Sequence, residues 1–101
     1  MRLDKEGFLV DLADWNHATA TELAKREHVQ LTVEHWSVIA ALRDFYHATG
    51  VSPSMRPFVK LIAQQLGVEK GTSIYLLSLF PGSPAKLAAK IAGLPRPTNC
   101  I

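Results

Sequence analysis

Residues 72–94 read TSIYLLSLFPGSPAKLAAKIAGL, and this stretch decides the fold. It holds two short helical patterns separated by Pro81-Gly82, which no helix carries through. The first, roughly Thr72 to Leu79, is almost wholly apolar and is expected at the centre of the core. In the second, Ser83 sits where an N-cap belongs and Pro84 occupies the first helical position, a favoured pairing. That helix is expected to run to Ala92 and stop at Gly93.

Working back from it, Phe58, Val59, Ile62 and Leu66 mark a helix ended by Gly67. The loop Val51-Ser52-Pro53-Ser54 precedes it. Val33, Trp36, Ile39, Ala40 and Leu42 mark a helix with Thr32 at its start and Gly50 at its end. Asp14 reads as the cap of an earlier helix reaching about His28, with Trp15, Ala18 and Leu23 on one face. Further back, Leu3 and Phe8-Leu9-Val10 flank Asp4-Lys5-Glu6-Gly7. Residues 1–11 are therefore expected to form a small hairpin closed by Gly7. Forward of Gly93, Pro95 and Pro97 forbid helix and hold the chain extended. The eight residues 94–101 can reach roughly 25 Å. The expected fold is α+β but mostly α: a small N-terminal β-hairpin on a five-helix orthogonal bundle. Residues 1–93 form the domain and 94–101 a flexible C-terminal arm.

With 101 residues, about half apolar, the chain suits one domain with a core of its own. It has a single cysteine, so it can form no internal disulfide and no all-cysteine zinc site. A lone free thiol favours the cytoplasm. The N-terminus shows no targeting segment, and no apolar run approaches the ~20 residues of a membrane span. His17, His28, His35 and His47 have neither metal-ligand spacing nor a cysteine nearby. No metal or cofactor is expected, and His35 reads as packing or capping at its helix's first turn.

Chemistry points to Cys100, one residue from the end of the arm. The thiolate is the reactive form, and accessibility matters as much as acidity. The blander reading, an incidental surface thiol, sits poorly with two prolines stiffening the arm. A stiff arm tipped by a thiol suits insertion into another protein's active site. Arg96 favours thiolate and a terminal carboxylate opposes it, so activation is expected from the partner's pocket. Arg56 and Lys60 are four apart on one helix, and Lys86 and Lys90 on another. With Arg96 they suggest a positive surface around the arm's root, against the plainer reading of solvated lysines.

DKEGFLVDLADWN near the N-terminus, EHW, SPSMRP, LFP with PAK, and AGLPRPTNC together resemble the DsrC/TusE family of sulfur-carrier proteins. The resemblance covers nearly the whole chain. It implies a hairpin plus helical domain and a mobile arm whose cysteine is Cys100. Family members that serve dissimilatory sulfite reductase carry a second cysteine upstream. The matching position falls in residues 86–90, most nearly Ala89, and holds no thiol. The resemblance therefore implies the single-cysteine, TusE-like branch. In it Cys100 accepts a persulfide sulfur from an upstream sulfur-relay donor complex. It passes the sulfur toward wobble-uridine 2-thiolation by a tRNA-uridine thiolase with its tRNA. Such a sulfurtransferase-type carrier is a substrate of both partners more than an enzyme. One departure is Ser83, where the pattern implies glycine before Pro84. Two other readings stay open: a single-cysteine DsrC-like protein in another sulfur-trafficking or regulatory route, and a helix-turn-helix-like nucleic-acid module built on the helices around Gly67.

Overall fold

The structure, a computed structural model, describes residues 1–97. It contains five α-helices: α1 (His17–Arg26), α2 (Val33–Thr49), α3 (Met55–Leu66), α4 (Ser73–Leu79) and α5 (Pro84–Ile91), with a 3-10 turn at Leu12–Asp14 ahead of them. The helix boundaries follow local chemistry. Asn16 caps α1 by accepting from the Thr19 amide. Thr32 opens α2 in a reciprocal arrangement with His35, whose Nδ1 accepts from the Thr32 amide at 3.1 Å. Gly50 closes α2 at φ 78°, and the Thr72 hydroxyl caps α4 through the Tyr75 amide. Pro84 stands in the first turn of α5, although the Ser83 side chain makes no capping bond.

Three expectations are corrected. Among the described residues the protein is all-helical, with no strand or sheet, so the α+β assignment and its N-terminal hairpin do not stand. What remains is one isolated antiparallel bridge, Leu3 to Leu9. The turn does close, because the Asp4 carboxylate accepts from the Glu6 and Phe8 amides and Gly7 takes φ 89°. A ladder does not follow, because Phe8 and Leu9 are both buried where a strand would alternate them. The 3-10 turn that begins at Leu12 then carries the chain off toward α1.

The second correction concerns α4, which is not central. Ile74 is 83% exposed and Leu77 43%. Only Leu76, with Phe80 one turn on, is fully buried, so this helix edges the core by one stripe. The central element is α5, which packs against α1, α2, α3 and α4. Its alanines make that possible, since Ala88 and Ala89 are fully buried and let the neighbouring helices approach closely. The third correction is small. Asp14 does not cap α1; Asp11 caps the 3-10 turn and Asn16 the helix.

Candidate functional site

The last helix delivers the chain toward Cys100, and its end is unusually well held. After Ile91, Ala92 is the C-cap and Gly93 takes φ 72°. The Gly93 amide donates to the Lys90 carbonyl at 3.1 Å and the Leu94 amide to the Ala89 carbonyl at 2.9 Å. These are the two bonds of a Schellman motif, and Leu94, 1% exposed, supplies the hydrophobic contact that accompanies it.

That motif leaves the Ile91 and Ala92 carbonyls open, and two side chains take them. Trp15 Nε1–H donates to the Ile91 carbonyl at 3.0 Å, and an Arg43 guanidinium N–H donates to the Ala92 carbonyl at 2.5 Å. The guanidinium also lies over the Trp15 ring, 3.8 Å from its centroid. A cation at a helix C-terminus meets the negative end of its dipole. The enclosure has a cost: burial pushes the Arg43 guanidinium below its ordinary pKa. Farther along, the Ser52 hydroxyl donates to the Pro95 carbonyl at 2.5 Å. Arg96 pairs with Glu6, and Pro97 is buried. Residues 94–97 thus lie against the N-terminal turn and the α2–α3 loop.

A groove of about 670 Å³ opens beside this root, lined by Asp4, Phe8, Leu9 and Val10 on one side and Pro95, Arg96 and Pro97 on another. Cys100 lies outside the described residues, with Thr98, Asn99 and Ile101. Covalent geometry alone keeps the Cys100 Cα within about 11 Å of that of Pro97.

The five basic residues divide into two groups. Lys86 reaches Glu6 at 3.5 Å, Lys90 reaches Glu27 at 3.4 Å, and Arg96 shares Glu6. Lys90 and Arg96 also stand near the Phe8 ring, at 5.3 and 6.0 Å. These three cations therefore lie near the N-terminal turn and share two acids, Glu6 and Glu27. Arg56 and Lys60 lie apart, exposed on α3, and among the described residues neither pairs with an acid. No group of three His, Cys, Asp or Glu side chains among the described residues is arranged to hold a metal. Each nitrogen of the buried His35 ring is engaged: Nδ1 accepts from Thr32, so Nε2–H donates to the Leu79 carbonyl at 2.7 Å.

Reading the sequence singled out Cys100 and the basic residues but missed Trp15, Arg43 and Ser52 as holders of the root. Trp15 and Arg43 are 28 positions apart and meet only through the fold. The one local signal was Gly93-Leu94-Pro95, a helix stop followed by a buried apolar residue and a proline.

Comparison with known proteins agrees with this architecture. The model of the family described as DsrC-like proteins matches residues 1–101. The chain is similar to the sulfurtransferase TusE of Photorhabdus laumondii, at 52% identity over 98 residues, covering 97% of this chain and 88% of that protein. Among solved structures it resembles DsrC of Allochromatium vinosum, with a TM-score of 0.89 and 45% identity, covering 98% of this chain and 88% of that one. It also resembles the oxidized gamma-subunit of dissimilatory sulfite reductase from Archaeoglobus fulgidus, with a TM-score of 0.86 and 40% identity, covering 100% and 92% of the two chains.

Proposed function

Because the chain belongs to the family of DsrC-like proteins, we propose that it is a sulfur-relay carrier in tRNA thiolation and that Cys100 holds the sulfur in transit. The observation that carries the reading is the placement of the sole cysteine: three residues beyond a root whose carbonyls and side chains are held by Trp15, Arg43, Ser52 and Glu6.

The chemistry is thiol–persulfide exchange. The Cys100 thiolate attacks the outer sulfur of a donor persulfide, the new S–S bond forms as the old one breaks, and the donor leaves as its thiolate. The Cys100 persulfide then offers that outer sulfur to an acceptor, and the Cys100 thiolate is the leaving group. No net oxidant is needed. With one cysteine the carrier cannot close an internal disulfide, and Ala89, where the two-cysteine relatives are taken to have their second thiol, is fully buried on α5.

The donor is an upstream relay complex and the acceptor a tRNA-uridine thiolase with its tRNA. The cytoplasm is the compartment, where reducing conditions keep the thiol free. The arm is the part beyond the root, and the unpaired Arg56 and Lys60 are the better candidates for steering an acidic partner. No helix among the described residues is long and apolar enough to cross a membrane. A groove-reading function is disfavoured, because α4 shows Ile74 and Leu77 to solvent where a recognition helix shows Arg or Asn.

The test replaces the chromosomal copy in the source organism by Cys100→Ser and measures 2-thiouridine in total tRNA by mass spectrometry. The modification should be lost at equal protein level. Undiminished 2-thiouridine would overturn the tRNA branch of the reading.

A further inference from the structure

We infer that Arg43 and Trp15 are positioning residues for sulfur transfer: they fix the direction in which the chain leaves α5 toward Cys100. The inference rests on the carrier reading above and goes beyond it by assigning roles to two side chains far from the thiol.

A helix leaves its last carbonyls without partners, and on a surface water normally supplies them. In α5 the Schellman bonds account for Ala89 and Lys90, and the Ala92 amide returns to the Ala88 carbonyl at 2.9 Å. The two carbonyls still open, Ile91 and Ala92, are taken by Trp15 and Arg43. These side chains come from different elements, one ahead of α1 and one in the middle of α2, and they are stacked on each other at 3.8 Å. Adjacent peptide planes are therefore each pinned to a separate part of the domain, which removes rotation about the α5 axis as well as fraying.

The residue that turns the chain is locked as well. Gly93 is left-handed, and a Cβ on it would lie 2.2 Å from Trp15 Cδ1. The Trp15 ring thus closes directly over the bend. Leu94 precedes Pro95, which confines it to extended conformations, and its own side chain is buried. A helix that needed only to end would be served by the glycine and Leu94. A half-buried guanidinium that holds one more carbonyl adds orientation.

Orientation matters for a thiol that must enter another protein's site, because misplacement of a reacting group by about 1 Å can cost about 100-fold in rate. Trp15 and Arg43 touch no reacting atom; they act through the root.

The experiment uses the full chain with its single cysteine carrying a nitroxide, so the label goes to one place. Arg43→Met, Arg43→Lys and Trp15→Phe are compared with wild type and with Val38→Ala, a buried core truncation that removes no hydrogen bond to the root and also lowers stability. The inference expects a sharper, more mobile spectrum for Arg43→Met and Trp15→Phe at a temperature where all variants are folded. It expects an intermediate spectrum for Arg43→Lys, which keeps a donor for Ala92 but loses the planar stack. Val38→Ala should leave the spectrum unchanged.

With unlabelled protein, the alkylation rate of Cys100 by iodoacetamide should be the same in all variants. In cells carrying each variant as the only copy, 2-thiouridine should fall by about tenfold or more for Arg43→Met at equal protein level, and hold for Val38→Ala. If Cys100→Ser abolishes 2-thiouridine but Arg43→Met does not lower it, the inference is overturned and the carrier reading survives. If Cys100→Ser leaves 2-thiouridine intact, the carrier reading fails and the inference goes with it. A loss in Val38→Ala equal to that in Arg43→Met would reduce both root residues to ordinary stabilisers.

Discussion

Replacing Gly93 by alanine tests the packed root most directly on the stability side, and Gly50 supplies the matched control. Both glycines are left-handed, at φ 72° and 78°, and both follow a helix. Placing a Cβ in that conformation costs about 1–2 kcal/mol at either site. The loss of unfolded-chain entropy on Gly→Ala favours the variant about equally in both, so it cancels in the comparison. The surroundings differ. At Gly50 an added Cβ meets nothing within 4 Å. At Gly93 it meets Trp15 Cδ1 at 2.2 Å, Cγ at 2.7 Å and Cβ at 2.9 Å, so the indole must leave. Its departure forfeits the bond to the Ile91 carbonyl, about 1 kcal/mol, and the stacking of Arg43, about 1 kcal/mol. Gly93→Ala should therefore cost about 3–4 kcal/mol against about 1–2 for Gly50→Ala. In a domain of this size the gap of about 2 kcal/mol corresponds to roughly 10 °C in Tm. Urea unfolding followed by tryptophan fluorescence reads both. Equal midpoints for the two variants would refute the claim that Trp15 is wedged over the bend.

Other substitutions probe separate contacts. Leu94→Ala should lower stability by about 2–4 kcal/mol in denaturant melts, since the side chain is buried against the core; a cost under about 0.5 would mean the root is not packed. Removing the His35 ring with alanine should cost about 2–3 kcal/mol by thermal melt, because the Thr32 amide and the Leu79 carbonyl both lose their partner. Tyr75→Phe should be neutral or stabilising by up to about 1 kcal/mol, since the hydroxyl oxygen is shielded and unpartnered although the ring is only half-buried. Burial first, and the Glu34 charge second, raise the Tyr75 pKa above its ordinary 10.0, so the fold favours the neutral phenol. Wild type should lose stability relative to Tyr75→Phe as pH rises above 10, and parallel pH profiles would contradict this. Glu6→Gln should change stability by less than about 1 kcal/mol, its ion pairs being solvent-exposed, while freeing Lys86 and Arg96 and quickening association with an acidic partner at low salt.

Much of the fold was legible because its stop signals are local. Thr32 and Gly50 bracket α2, Gly67 ends α3, and Pro84 opens α5, each for a reason carried by one residue's backbone. What was misread depends on distant partners. Phe8 and Leu9 look like a strand in isolation, yet the domain buries both and leaves a single bridge. The apolar run of α4 suggests a central helix, yet its alanine-rich neighbour α5 takes that place, since small side chains admit close packing from several directions. Cys100 could be proposed from the sequence because a single thiol after two prolines is a local fact. Trp15, Arg43 and Ser52 could not, since their role is to meet backbone carbonyls 76, 49 and 43 positions away.

The most direct measurement is intact-mass spectrometry of the purified chain after exposure to a persulfide donor such as glutathione persulfide. Wild type should gain about 32 Da, one sulfur atom, released by a thiol reductant, and Cys100→Ala should gain nothing. A reducible gain of that size in the alanine variant, or none in wild type, would contradict the assignment of Cys100 as the sulfur carrier.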